Sequence, residues 1–284
     1  MRKTITIIIS LLFPIILFGQ AQINTKKVKI ADFTQKVTKV VMSGNDFIDG
    51  TLADEVVVRW RVSPYEFCSM EEFETLKSSD EYYFLIATSG KFRKETEPTL
   101  QFLTLVKGGA GAEKGISEML EVISLPIASA KFPTGRELVF MPAFLDIIQD
   151  YTLASMENDR KAYGGLVNHT QSISKCSNPK IVFSEGDLCE AITETEKEFF
   201  FGEDMTLASE EEVDSYILDS SKHALVSYVV APTEHLPGSY CYKMLIDTQN
   251  NKLYYYKKHK ITKTNGAGFL VDDLKRIHSA HISR

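Results

Sequence analysis

The chain has few cysteines, no excess of basic residues and no apolar run long enough to span a membrane. Only four cysteines occur in 284 residues, and no two are spaced as Cys-x-x-Cys. We therefore expect neither a disulfide scaffold nor a dithiol oxidoreductase. The 32 Lys and Arg residues are outnumbered by 38 Asp and Glu residues. Because an acidic chain lacks the field that attracts polyphosphate, we expect no nucleic-acid partner.

Sequence motifs of several enzyme classes are also missing. The chain contains no Gly-x-Ser-x-Gly elbow, no His-Glu-x-x-His pair, no P-loop and no Asp-x-Asp-x-Asp-Gly calcium loop. These absences argue against a serine hydrolase of that type, a metalloprotease, a P-loop nucleotide-binding protein and a calcium-loop protein. We expect no cofactor and no metal, and the sequence leaves any catalytic residue unknown.

The first residues have the pattern of an export signal. Met1–Lys3 is basic, Ile5–Phe18 is almost wholly apolar, and the small residues that signal peptidase reads end at Ala21. This run of about 14 residues is shorter than the roughly 20 of a spanning helix. Gln22, rather than the cysteine of a lipid anchor, follows the cleavage point. The sequence predicts cleavage after Ala21 and a soluble periplasmic or extracellular protein without a stable membrane anchor.

The part after the leader divides into three segments. We predict a first α+β unit over residues 22–136, a connecting helix and loop over 137–179, and a second α+β unit over 180–284. The connecting helix is expected from Pro142 to Tyr163, because proline suits a first helical turn and an apolar stripe follows it.

Two Ser-x-x-Glu patterns, Ser69/Glu72 and Ser209/Glu212, suggest that the two units are copies of one plan. Each pattern predicts a capping box at the start of a helix. A small apolar residue before each serine can pack on a residue in the helix, and the pairs are Cys68 with Phe73 and Ala208 with Val213. Both copies therefore begin a helix by the same device.

Strand-like runs surround both predicted helices. The runs before them are Val56–Val62 and Glu198–Phe201, and the runs after them are Tyr82–Ile86 with Leu100–Val106, and Ala224–Val230 with Tyr240–Ile246. Copy two adds a hairpin through paired asparagines into Leu253–Tyr256. The sequence thus predicts two related β-α-β-β-α units with small mixed sheets. An opening β-α-β crossover gives each unit a thioredoxin-like outline.

Both copies then reach Gly-Ala-Gly, followed by a predicted helix. Ile116–Ile123 has apolar residues at helical spacing, and Leu270–Ile277 has a thinner stripe of the same kind. The first glycine loop, Lys107–Gly115, follows a strand but lacks both the P-loop ending and the Gly-x-Gly-x-x-Gly spacing. We interpret it as a turn that needs positive φ.

The histidines and cysteines provide only weak candidate sites. His278 and His281 lie three residues apart, but without a metalloprotease motif we interpret them as surface residues. Cys68 has a sufficient structural role beside its helix cap. The four cysteines, Cys68, Cys176, Cys189 and Cys241, allow three pairings that sequence alone does not decide, and Cys176 with Cys189 would close a short loop.

Clusters of like residues have structural explanations as well. Acidic groups at Glu71-Glu72, Glu210–Glu212 and Asp272-Asp273 stand at predicted helix starts, where the helix dipole favours them. The segment Tyr254–Lys260 combines aromatic and basic residues. A binding strip for a sugar or an anionic chain is one interpretation, and a strand with alternating faces and a solvated basic end is the one we favour.

These observations favour an exported, non-enzymatic binding or interaction protein with an unknown protein or small-molecule ligand. The alternative is an exported enzyme, most plausibly a hydrolase, with a site assembled between the two units. A cleft in which His235, His259 or Cys68 meets a carboxylate would favour the enzyme, whereas a groove of exposed aromatics would favour binding. A restriction-nuclease-like core conflicts with export and with the acidic composition.

Overall fold

The computed structural model describes residues 30–92, 95–158, 162, 164–176, 180–219, 221–234 and 238–282. These residues contain helices and two mixed β-sheets, in agreement with the α+β prediction. The predicted leader (residues 1–21) and His235 lie outside them. No helix within these ranges is long and apolar enough to cross a membrane.

The first sheet is built from residues between 37 and 129. Its strands are β1 (Val37–Val41), β2 (Tyr65–Cys68), β3 (Tyr82–Gly90), β4 (Leu100–Lys107) and β5 (Leu120–Ser129), in the order β2-β1-β3-β4-β5. Strands β2 and β3 pair parallel with β1, whereas β4 and β5 extend the sheet antiparallel. Helices α1 (Asp46–Arg59) and α2 (Met70–Leu76) supply the crossovers that parallel strands require.

The second sheet is built from residues between 181 and 260 on the same plan. Its strands are β6 (Ile181–Ser184), β7 (Met205–Ala208), β8 (Leu225–Val230), β9 (Tyr240–Asp247) and β10 (Leu253–Lys260). The order β7-β6-β8-β9-β10 and the pattern of parallel and antiparallel pairs match those of the first sheet. Helices α5 (Glu194–Phe200) and α6 (Glu210–Leu218) make the two crossovers.

Each half therefore contains more strands than the predicted β-α-β-β-α unit. The parallel strands β1, β2, β6 and β7 have only four or five residues each. Such short strands show too little alternation to be recognised in a sequence. The strand that was expected only in copy two, β10, has a counterpart in β5 of the first half.

The run Val56–Val62, predicted as a strand, lies largely in α1. Valine favours strands, but Asn45 caps this helix by accepting the Ile48 amide. Ile48, Leu52 and Val56 are buried at a spacing of four residues, which fits one face of a helix. The Asn45 cap and the burial of one helix face together outweigh the strand preference of the valines.

The run Glu198–Phe201, also predicted as a strand, belongs to α5 as far as Phe200. Thr193 and Glu196 form a full capping box at the start of this helix. The same Thr-x-x-Glu pattern is visible in the sequence and was missed there.

The helix predicted over Ile116–Ile123 is wrong as well. Two short 3₁₀ turns end at Glu118, and β5 begins at Leu120. Pro126 fits β5 because this strand lies at the edge of the sheet, where one side needs no partner. The two Gly-Ala-Gly segments are consequently not equivalent, since the first precedes β5 and the second follows β10.

The connecting segment contains α3 (Arg136–Val139) and α4 (Met141–Glu157), and the last described helix is α7 (Val271–Ile282). Pro142 lies in the first turn of α4, as predicted, but this helix ends before Tyr163. Much of α4 is buried in a hydrophobic cluster that also contains residues of both sheets. The connecting helix is thus part of a shared core.

Polar contacts also join the two halves. Arg136 Nε donates to Asp214 Oδ1 at 2.9 Å, and its Nη1 lies 3.2 Å from Asp187 Oδ1. The Tyr228 hydroxyl donates to the Ile127 carbonyl at 2.5 Å. These bonds hold the first sheet and the second sheet in one orientation.

Candidate functional site

A groove of about 950 Å³ is lined by residues from both halves of the chain. Strands β3, β4 and β5 of the first sheet supply Thr88, Phe102, Thr104 and Ser124, and strands β9 and β10 of the second sheet supply residues to it as well. A volume of this size is within the range of small-ligand sites in proteins. The residues that line this groove can therefore distinguish the binding hypothesis from the enzyme hypothesis.

The floor of the groove carries a row of three hydroxyl groups. Thr88 Oγ1 lies 2.9 Å from Thr104 Oγ1, which lies 3.1 Å from Ser124 Oγ. Thr104 stands directly opposite Ser124 in the β4–β5 register, so both side chains share one face of the sheet. Three hydroxyls hold three protons, and two are used within the row. One proton and several lone pairs remain for another molecule.

An aromatic wall stands beside this floor and crosses from one half to the other. The ring centroids of Phe102 and Tyr242 lie 6.0 Å apart in an edge-to-face arrangement, and those of Tyr242 and Tyr256 lie 6.2 Å apart. Phe92 extends the wall at 6.5 Å from Phe102 and 5.0 Å from Tyr240. The wall therefore combines strand residues of the first sheet with strand residues of the second.

Tyr242 and Tyr256, whose phenols line the groove, stay protonated at neutral pH. Burial, and then the charges of neighbours including Glu121, raise the pKa of Tyr242 to about 12. Burial likewise raises the pKa of Tyr256 far above its ordinary value. Within the described residues, neither hydroxyl has a hydrogen-bond partner in the protein. Both are available as donors.

The charged residues of the groove are few and separate from one another. Glu121 is exposed at the start of β5, and Lys91 and Lys258 are exposed at other parts of the lining. Lys258 Nζ lies 5.4 Å from the centroid of the Tyr240 ring. This arrangement gives the groove polar ends without a strong field of one sign.

Cys68 is not among the lining residues of the groove and lies in a buried cluster with Phe73, although Ile86 and Val106 of that cluster do line it. The Ser69–Glu72 capping box forms as predicted, and Cys68 occupies the staple position before it. Burial and the charge of Glu72 raise the pKa of the Cys68 thiol. A thiol held in this state is a poor nucleophile.

The histidines are dispersed rather than brought together. His259 Nε2 lies 2.7 Å from the Gly266 carbonyl oxygen, and burial lowers its pKa. His278 is half-buried against the rings of Phe199 and Phe200, and His281 is buried 3.5 Å from Asp204 Oδ2, so the interpretation of His281 as a surface residue is wrong. Among the described residues, no group of three or more His, Cys, Asp or Glu side chains is placed to hold a metal ion.

All four cysteines lie within the described ranges, are buried and carry thiols, so the proposed Cys176–Cys189 bridge is wrong. The Cys176 thiol donates to Asp247 Oδ2 at 3.8 Å. Cys241 Sγ accepts the Gly268 amide at 3.2 Å, and burial raises the pKa of this thiol to about 12. These side chains function as packing residues.

The glycine loop after β4 is a turn, as predicted. Gly109 and Gly115 have φ values of 155° and 118°, which side chains rarely adopt. A Cβ on Gly108 would lie 2.1 Å from the Ser79 carbonyl oxygen. The loop leads into 3₁₀ turns and β5, so it does not place a phosphate at the start of a longer helix.

All three acidic groups stand in the first turn of a helix, as expected. At α2 the full Ser69/Glu72 capping box forms, whereas at α6 Ser209 accepts the Glu212 amide without the reciprocal bond, so the second predicted capping box is only half formed. Asp273, by contrast, is fully buried and binds both Lys243, a fully buried cation, and Lys257 at 2.6 Å. No local sequence pattern indicates this ion cluster, because its members come from three different elements.

Tyr254–Lys260 divides between the two faces of its sheet. The Tyr255 hydroxyl donates to Asp273 Oδ1 at 2.7 Å, whereas Tyr256 and Lys258 line the groove. Alternation along a strand accounts for the division. Of the residues in Tyr254–Lys260, Tyr256 and Lys258 belong to the candidate site.

Comparison of the chain with protein-family models, with curated proteins and with solved structures gives no match. The function must therefore be argued from the groove and its chemistry.

Proposed function

We propose that this chain is an exported, non-enzymatic binding protein whose ligand lies in the groove between the two sheets. The groove supports this proposal because hydroxyls of one half and phenols of the other face the same space. Pockets that combine aromatic walls with a few convergent polar groups are the usual form of a small-molecule site.

The chemistry of the groove favours binding over the hydrolase alternative. Hydrolysis needs a nucleophile with a nearby base, or two carboxyl groups on either side of a substrate. Glu121 is the single carboxylate among the described residues that line the groove. Cys68 lies in a buried cluster of the first half. His259 stands opposite Cys241 in the β9–β10 register. Neither residue meets Glu121 in the groove.

We infer further that the two halves arose by duplication of one β-α-β-α-β-β-β unit. Support comes from the identical order and orientation of the strands in both sheets. Each unit opens with the β-α-β crossover on which the thioredoxin-like outline was based. The outline itself is a proposal about topology and assigns no chemistry.

The export proposal rests on residues 1–21 of the sequence, which lie outside the described ranges. Cleavage after Ala21 would deliver the groove to a space outside the cytoplasm. N-terminal sequencing of the protein purified from its own cell tests this proposal. The expected first residue is Gln22, and Met1 would contradict it.

Ligand screening with a blocked groove tests the proposed function. Ser124→Trp places a large ring on the groove floor. Thr206→Trp places the same ring on β7, outside the groove. We expect compounds that raise the melting temperature of the native chain and of Thr206→Trp, and that leave Ser124→Trp unaffected. Ligands that stabilise all three proteins equally would bind elsewhere and would contradict the proposal.

A further inference from the structure

We propose that the ligand of this groove is a neutral oligosaccharide. This inference rests on the proposed binding function and specifies the chemical class of the ligand. It depends on three properties of the groove, namely its row of hydroxyls, its aromatic wall and its small, divided charge.

The row formed by Thr88, Thr104 and Ser124 suits a partner that both donates and accepts hydrogen bonds. A hydroxyl group is such a partner, since it carries one proton and two lone pairs. The row spans three neighbouring strands, with 2.9 and 3.1 Å between successive oxygens. A sugar ring presents several hydroxyls along one edge and can meet such a row at more than one point.

The aromatic wall suits the other surface of a sugar. The C–H groups of a pyranose form an apolar face, and aromatic side chains combine a large apolar surface with a polar tip. Phe102, Tyr242 and Tyr256 supply rings from both halves of the protein, and the two phenols supply hydrogen-bond donors beside them. An entirely apolar ligand would leave these phenols and the remaining proton of the hydroxyl row without partners, which is costly.

The charges of the groove favour a neutral ligand. Glu121 lines the groove together with Tyr242 and Tyr256. A ligand carboxylate or phosphate at that position would be repelled by it. Lys258 lies against the Tyr240 ring and Lys91 lines another part of the groove, so the one carboxylate and the two lysines are separate and give no concentrated charge of either sign.

The two walls of the groove are held in place before any ligand arrives. The Tyr228 hydroxyl binds the Ile127 carbonyl at 2.5 Å across the two halves, and Asn251 Nδ2 binds Asp146 Oδ2 of the connecting helix at 2.7 Å. Ser129 and Thr233 add a contact of 2.8 Å near one end. A preformed site loses little conformational freedom on binding.

Titration calorimetry of the full chain with maltotriose, cellotriose, chitotriose, mannotriose and trigalacturonate tests the inference. We expect at least one of the four neutral sugars to bind saturably, and more tightly than the acidic trigalacturonate. Thr104→Val and Tyr256→Phe each remove one hydroxyl without changing the shape of the side chain. We expect each to weaken the binding of that sugar by about 2- to 10-fold, as the loss of one hydrogen bond implies.

Matched variants provide the controls. Thr38→Val removes a buried hydroxyl that contacts Ser63 at 2.7 Å on β1, and Tyr254→Phe removes a phenol from the same strand as Tyr256. Neither residue lines the groove, so both variants should bind the sugar as the native chain does. Circular dichroism of each variant separates a lost contact from a lost fold.

The outcomes separate the ligand class from the proposed function. Palmitate and mixed oligopeptides are titrated in parallel with the sugars. If one of these binds instead, and Ser124→Trp abolishes that binding, the sugar assignment is wrong and the groove remains the binding site. Tighter binding of trigalacturonate overturns neutrality alone. If no probe binds, or if binding is unchanged in Ser124→Trp, both the ligand class and the proposed function fail.

Discussion

Asp273 shows how one buried carboxylate can organise a region of the molecule. It accepts hydrogen bonds from Lys243, Lys257, Tyr255 and the Leu270 amide, and it is fully buried. A buried cation that loses its only strong partner is left uncompensated, which costs far more than the loss of an exposed ion pair. The environment of Lys243 therefore makes Asp273 important for stability.

We expect Asp273→Ala to lower the free energy of unfolding by about 3–5 kcal/mol. The neighbouring Asp272 is exposed at the same helix start and provides a matched control. Asp272→Ala should change the free energy by about 0.5 kcal/mol or less. Urea unfolding of the two variants measures the difference, and equal effects would contradict the role of the buried cluster.

The same residue predicts a dependence of stability on pH. Although burial opposes it, hydrogen bonds from Lys243 and Lys257 lower the pKa of Asp273 from 3.8 to about 2. The ionised form is therefore favoured in the folded state, so its contribution is present above pH 4 and is lost as the pH falls towards 2. This contribution is about 2 kcal/mol. Asp273→Asn should flatten the stability profile between about pH 4 and pH 2 relative to the native chain, and an unchanged slope would exclude Asp273 as its source.

Among the elements, the caps of the short helices were the part of the fold most visible in the sequence. Ser69 accepts the Glu72 amide at 3.1 Å, and Glu72 accepts the Ser69 amide at 2.7 Å. Both bonds lie within a few residues of chain, so a local pattern is sufficient to predict them. Strands β3, β4, β8, β9 and β10 and helix α7 were likewise indicated by local runs.

Ser69→Ala should destabilise the protein by about 1 kcal/mol, because it removes the side-chain acceptor of the α2 cap. Ser78 is exposed beyond the end of the same helix and serves as the control position. Thermal unfolding of Ser69→Ala and Ser78→Ala compares the two. A similar small effect of both changes would mean that the cap contributes nothing measurable.

Elements that depend on distant contacts were not predictable in this way. Val56 has a strand-forming side chain, yet it is buried on one face of α1 because the first sheet covers that face. The groove illustrates the same limit, since Thr88, Ser124 and Tyr256 come from strands far apart in the chain. Only the pairing of strands brings them together, and pairing leaves little trace in a single sequence.

At the scale of the whole molecule, Arg136 joins the connecting segment to the second half. Its guanidinium is buried, binds Asp187 and Asp214, and lies 5.2 Å from the centroid of the Tyr228 ring. Asp187 is itself buried, and burial raises its pKa even beside this cation. The pair is therefore sensitive to the removal of either partner.

We expect Arg136→Met to lower the free energy of unfolding by about 3–5 kcal/mol, since it leaves Asp187 buried without its cation. Adding Asp187→Asn removes that charge and should restore part of the loss. Lys131→Met removes an exposed cross-half pair, with Glu234 at 2.9 Å, and should have a much smaller effect because solvent screens that pair. Chemical unfolding of the three variants checks this order, and a loss from Lys131→Met as large as that from Arg136→Met would refute it.

The three hydroxyls on the groove floor have one further consequence. Their protons can all point towards Ser124 or all towards Thr88, because each O–H either gives to the next oxygen or receives from it. Whichever end donates outward, the opposite end accepts. A guest that takes a proton at one end would therefore set the polarity that a second guest group meets at the other, across the width of three strands.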